Sequence, residues 1–126
     1  MARDTITVQL PTYDKKDSVG VIEITKQAVT QANGIEILKA YANKDNSLKV
    51  IVENTTGADT EVTIKAGEKQ NAVLGDETIT VKNGKTVALT PIRDMARFER
   101  NNGSVYLDFK TGFTGNIYAL GEKAGL

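Results

Sequence analysis

The chain has neither cysteine nor histidine in its 126 residues. Without cysteine there is no disulfide framework and no thiolate chemistry. Without histidine, the commonest general base and the commonest metal ligand are both missing. Neither charge sign is in excess: 16 lysines and arginines face 16 aspartates and glutamates, interleaved along the sequence. That balance leaves no electrostatic footprint for nucleic acid or an anionic membrane, so neither is expected as a partner. No apolar run approaches the ~20 residues of a membrane span. The opening Met1–Thr5 lacks the apolar core of a secretory signal, so synthesis and folding are expected in the cytoplasm.

What is present is alternation. The length fits one domain over 1–126 that can bury a sizeable core. Ile6, Val8 and Leu10 alternate until Pro11, which cannot donate to a strand ladder. A polar run to Gly20 follows, so residues 1–20 read as a strand or arm plus a linker. Val21 to Ile24 is a candidate strand, and Thr25 to Ala32 is the one stretch where a helical turn competes. Further strands are expected at Ile35–Leu38, Leu48–Asn54, Glu61–Lys65, Glu77–Val81, Thr86–Leu89, Arg97–Arg100, Val105–Phe109 and Asn116–Leu120. About eight or nine short strands separated by turn signals specify an all-β domain, a β-sandwich of immunoglobulin-like or jelly-roll-like form.

Two turns can be read in detail. A two-residue turn at Asn102-Gly103 would make a hairpin of Ala96–Phe109, pairing Phe98 with Leu107 and Arg97 with Asp108. Phe98, Leu107 and Phe109 would then be core, with Tyr106 on the opposite face. At Lys82-Asn83-Gly84, a bulged hairpin with Gly84 left-handed would pair Ile79 with Val87. Asn33-Gly34 is a third turn signal.

Little else suggests chemistry. Gly84-Lys85-Thr86 echoes a phosphate-binding loop, but Ile79 stands where that loop needs glycine, and no helix is expected after it. The carboxylates form no singled-out pair of the kind a glycosidase sets ~5–10 Å apart, nor a loop of regularly spaced calcium ligands. The three serines have no histidine as base. No catalytic residue, metal or cofactor is therefore expected, and the chain reads as a non-enzyme. The candidate contact residues are instead Ile6, Val8 and Leu10, on a terminal strand able to pair with a neighbour, and Tyr106 and Tyr118, amphipathic rings on sheet surfaces.

Three stretches carry a resemblance: "MARDTITVQ", "LKVIVENTTGADTEVTIKAG" and "TPIRDMARFERNNGSVYLDFKTGFTGNIYAL". They resemble a family of small proteins encoded beside capsid genes in tailed bacteriophages and prophages. The matching positions near the end are Pro91, Ala96, Arg97, Phe98, Gly103, Asp108, Phe109, Thr114 and Gly115. Residues 11–47 match poorly. The resemblance implies a virion structural component, most of all a head decoration protein. It would bind the major capsid protein on the shell exterior, after folding in the host cytoplasm, as a monomer or a homo-oligomer such as a trimer. The alternative it leaves open is a tail, baseplate or fibre module that binds host carbohydrate through exposed aromatics. The shared motifs are structural and transfer no active site.

Overall fold

The structure, a computed structural model, describes residues 2–123. It contains eleven strands: β1 (Asp4–Gln9), β2 (Thr12–Tyr13), β3 (Gly20–Val21), β4 (Gln27–Ala28), β5 (Ile35–Leu38), β6 (Lys49–Asn54), β7 (Thr60–Ile64), β8 (Glu77–Val81), β9 (Thr86–Leu89), β10 (Val105–Phe109) and β11 (Gly115–Leu120). A 3₁₀ turn spans Gln70–Leu74, and one helical turn, α1, spans Met95–Phe98. The main path runs β8-β7-β10-β5-β1-β11-β6-β9, with β4 beside β11. The molecule is the expected all-β sandwich, and it is nearly a barrel.

Alternation explains the burial. Val50 and Val52 of β6, Val62 and Ile64 of β7, Ile35 and Ile37 of β5, and Ile117 and Ala119 of β11 point inward and are buried. Their neighbours along each strand are less covered, as a period of two requires. Val105, Leu107 and Phe109 complete one wall, where Phe109 and Phe113 stack with ring centroids 4.7 Å apart.

The N-terminal strand joins the two layers. Asp4–Thr7 of β1 pair in parallel with β5, and Val8 and Gln9 pair in parallel with β11. β1 is therefore central, closed into its own chain's sheet. Of the strand or arm read in residues 1–20, it is the strand that forms. The separable part lies further on, where β2 and β3 pair only with each other. No helix forms in Thr25–Ala32: Gln27 and Ala28 instead pair with Ile117 and Asn116.

Both detailed turns come out differently. No hairpin joins Ala96–Arg100 to Val105–Phe109, because β5 takes one edge of β10 and β7 takes the other. With no edge left, Met95–Phe98 coils into α1, with Phe98 buried as expected. Arg97 reaches Glu77 at 3.4 Å and the Gly75 and Asp76 carbonyls. Asp108 instead meets Arg3 at 2.6 Å. At Lys82–Lys85, Gly84 is left-handed as expected, with φ 71°, yet Ile79 pairs with Val62 and Val87 with Val52. The turn carries the chain from one layer to the other. Non-local burial outweighs local hairpin preference at both places.

The strand directions sort the connections between the two ends of the sandwich. Residues 29–34, 55–59, 82–85 and 110–114 turn at one end; 10–26, 39–48, 65–76 and 90–104 connect at the other. At the short-turn end, buried Asn54 acts as a clasp. Its Nδ2 donates to the Ala58, Val81 and Lys82 carbonyls at 2.9–3.1 Å, and its Oδ1 accepts from the Thr56 N–H.

Candidate docking surface

The first long connection is a ribbon. β2 and β3 are only two residues each, and the turn between them is fixed by Asp14, whose Oδ1 accepts from the Ser18 and Val19 N–H groups. This is the Asx-type capping that aspartate favours in turns. At the base, the Gln9 carboxamide mimics a strand neighbour. Its Nε2 donates to the Thr25 carbonyl and its Oε1 accepts from the Thr25 N–H, both at 2.8 Å. Every residue from Thr12 to Val21 is exposed.

The ribbon is polar at its tip and apolar along its length. Val19 and Val21 are 58% and 57% exposed, and Leu10, Tyr13 and Ile24 are also open. Beside it, Leu38 ends β5 in the open. Across the same end, α1 packs against the 3₁₀ turn and displays Val73, Leu74 and Met95, with Val73 89% exposed. Among the described residues, every well-exposed large apolar side chain lies at this long-connection end. Scattered apolar exposure is ordinary on a protein surface; exposure gathered at one end is the pattern of a contact surface.

The residues expected to make contacts are dispersed. Ile6 is buried in the core, because β1 is a central strand, and it is withdrawn from any contact surface. Val8 is half-buried, and Leu10 lies at the foot of the ribbon, 39% exposed. Tyr106 and Tyr118 are half-buried on strands of different layers. The Arg3 and Arg100 guanidiniums lie 4.2 and 4.1 Å from the Tyr106 ring centroid. Both guanidiniums therefore lie within cation–π range of the same ring. Arg3 is held in turn by Asp108, and Arg100 by Glu68 at 3.2 Å.

Tyr118 borders a crevice where β1 and β4 diverge, lined by Thr5, Thr7, Thr25 and Gln27. Beside it, Lys26 meets Glu53 at 2.7 Å, and Glu53 also accepts from Asn116 at 3.1 Å. The hydrogen bond between Lys26 and Glu53 holds the Lys26 ammonium above its ordinary range and the Glu53 carboxyl below its own. Both groups stay charged through neutral pH, which makes this a surface ion pair and a poor acid–base couple.

No family model, curated protein or solved structure matches the chain.

Among the described residues, no group of three or more histidine, cysteine, aspartate or glutamate side chains is placed to hold a metal ion. What the geometry offers is surface: one polar end, and one end whose ribbon and helical turn present apolar side chains. Sequence reasoning did not single out Val19, Val73, Leu74 and Met95, exposed apolar side chains of this end. The available signal was Val19-Gly-Val-Ile-Glu-Ile, a strand-like run flanked by a polar turn, of which only Gly20 and Val21 acquire a strand partner.

Proposed function

We propose that the chain is a virion structural protein, a head decoration protein that docks on the exterior of a phage capsid through its long-connection end. The reading rests on the clustering of exposed apolar side chains at that end, on the sandwich fold, and on the three stretches that resemble capsid-associated phage proteins. In this reading the partner is the major capsid protein, the site of action is the capsid surface after assembly in the host cytoplasm, and copies that meet on the lattice are free to associate. Binding the assembled shell and not its dissociated subunits stabilises it by mass action. Many equivalent sites multiply the effect.

The carbohydrate-binding alternative has weaker support. Stacking on a sugar needs an open aromatic face, and two guanidiniums already lie against the Tyr106 ring. Co-sedimentation with expanded, empty capsids tests the proposal. The wild-type chain should pellet with cognate shells, and a Val21→Lys/Ile24→Lys variant with an unchanged melting curve should stay in the supernatant. A wild-type chain that fails to pellet at micromolar concentration, or a variant that binds equally well, would sink it.

A further inference from the structure

Three Asn-Gly pairs occur in the described chain: Asn33-Gly34, Asn83-Gly84 and Asn102-Gly103. Asparagine followed by glycine is prone to intramolecular attack, because glycine's missing side chain leaves its peptide nitrogen unhindered and its backbone mobile. Since the following residue is the same in all three, the fold decides which pair reacts.

The three environments are unalike. Asn102 is restrained at both reacting groups. Its Oδ1 accepts from the Ser104 N–H and hydroxyl, its Nδ2 donates to Glu36, and the Gly103 N–H is committed to the Arg100 carbonyl at 2.9 Å. Asn33 has its Nδ2 on Asp4 at 3.1 Å and its Oδ1 buried, while Gly34 is packed beneath Arg3 and the Leu107 carbonyl. Asn83 is different. Its side chain is exposed and makes no hydrogen bond among the described residues; only its backbone N–H is held, by Asp59 at 2.8 Å. The Gly84 N–H has no backbone acceptor among the described residues, since the bond closing this turn runs from Lys85 N–H to the Lys82 carbonyl. The space where a Cβ would stand at Gly84 is open, as it is at Gly103 and is not at Gly34.

We infer that Asn83 is a site of spontaneous covalent self-modification, converting to aspartate and isoaspartate ahead of the other two pairs. The Gly84 nitrogen attacks Asn83 Cγ, forming a C–N bond that closes a five-membered succinimide. The Cγ–Nδ2 bond breaks, and the amide leaves as ammonia with the proton given up by the Gly84 nitrogen. Water then opens the ring at either carbonyl. Opening one way restores the main chain with an aspartate; opening the other routes it through the side-chain carbon. No oxidant, metal or enzyme takes part. Each product places a new carboxylate beside Asp59, which already faces Lys82 at 3.7 Å. It lies in the turn that joins the two end strands of the sheet path.

The test is peptide mapping by mass spectrometry of the purified full chain, aged in mildly alkaline buffer and compared with the same chain aged in denaturant. In denaturant all three pairs should convert at similar rates. In the folded chain the Asn83 peptide should convert first, with a one-charge acidic shift on ion exchange that Asn83→Gln abolishes. Folded protein in which Asn33 or Asn102 converts first, in which all three convert together, or in which Asn83 stays intact while the denatured control reacts, would overturn the inference.

Discussion

The two ends of the sandwich solve different problems with the same strands. At the short-turn end, four connections of four to six residues cross between the layers, several with left-handed glycines at their corners. Asn54 knits two of them together. Among the described residues that end displays no well-exposed large apolar side chain. At the long-connection end, the chain spends between ten and seventeen residues per connection and leaves Val19, Val21, Val73 and Met95 in water. Backbone economy is what a turn needs to close a fold. Apolar exposure contributes nothing to closing it, so it points to a use outside the chain.

Removing residues 2–10 should break the comparison altogether. β1 is central, so the truncated chain should show no cooperative melt by circular dichroism, whereas replacing 12–21 by a short flexible link should leave one. A truncated chain that melts as before would show that β1 belongs to a neighbour. Phe98→Ala comes next. That ring anchors the longest of the late connections to the core, and its loss should cost ~3–5 kcal/mol in denaturant unfolding. A change within about 0.5 kcal/mol, as for ordinary surface substitutions, would detach α1 from the core.

At the opposite end, Asn54→Ala should cost ~1–3 kcal/mol, because buried carbonyls lose their donor. That effect should exceed the Val21→Lys/Ile24→Lys change, expected within about 0.5 kcal/mol. If the ribbon variant proves the more damaging, the ribbon is structural and the contrast between the ends collapses.

The smallest effect is electrostatic. Hydrogen bonds from Lys65 and then from the Ala66 N–H hold the Asp76 carboxyl below its ordinary 3.8. A lowered native pKa adds stability above the unfolded value, and that contribution is lost as pH falls through the native one. Asp76→Asn should therefore reduce the stability difference between neutral pH and about pH 3. An unchanged acid profile would show that this half-exposed pair adds nothing measurable.

Much of the fold is legible in the sequence. Leu48–Asn54, Glu61–Lys65, Glu77–Val81 and Val105–Phe109 alternate so cleanly that burial on one face follows from the pattern. What could not be read is which strand takes which neighbour. Asn102-Gly103 looks like a hairpin, yet β10 gains more by pairing with β5 and β7, which bury Val105, Leu107 and Phe109. Ile6, Val8 and Leu10 look alike as a stripe, but only the structure separates a core residue from a ribbon foot, because β1 changes partner at Val8. The exposed apolar residues of the long-connection end were harder still. Val73 and Leu74 sit in a polar loop with no period, and only their position beside Met95 makes them a patch.

The place of β1 also bears on the order in which the molecule can form during synthesis. Its last two residues pair with β11, the last described strand, more than a hundred residues later in the chain. A growing polypeptide leaves the ribosome with Ile6 ready to be buried and half of its neighbours not yet made. Until Gly115–Leu120 emerge, Val8 and Gln9 have no strand beside them, and β6 lacks one of its two partners as well. The sandwich therefore closes late and from both ends of the sequence at once, the high-contact-order route that folds slowly. Any chain stopped short of β11 would carry an open sheet edge.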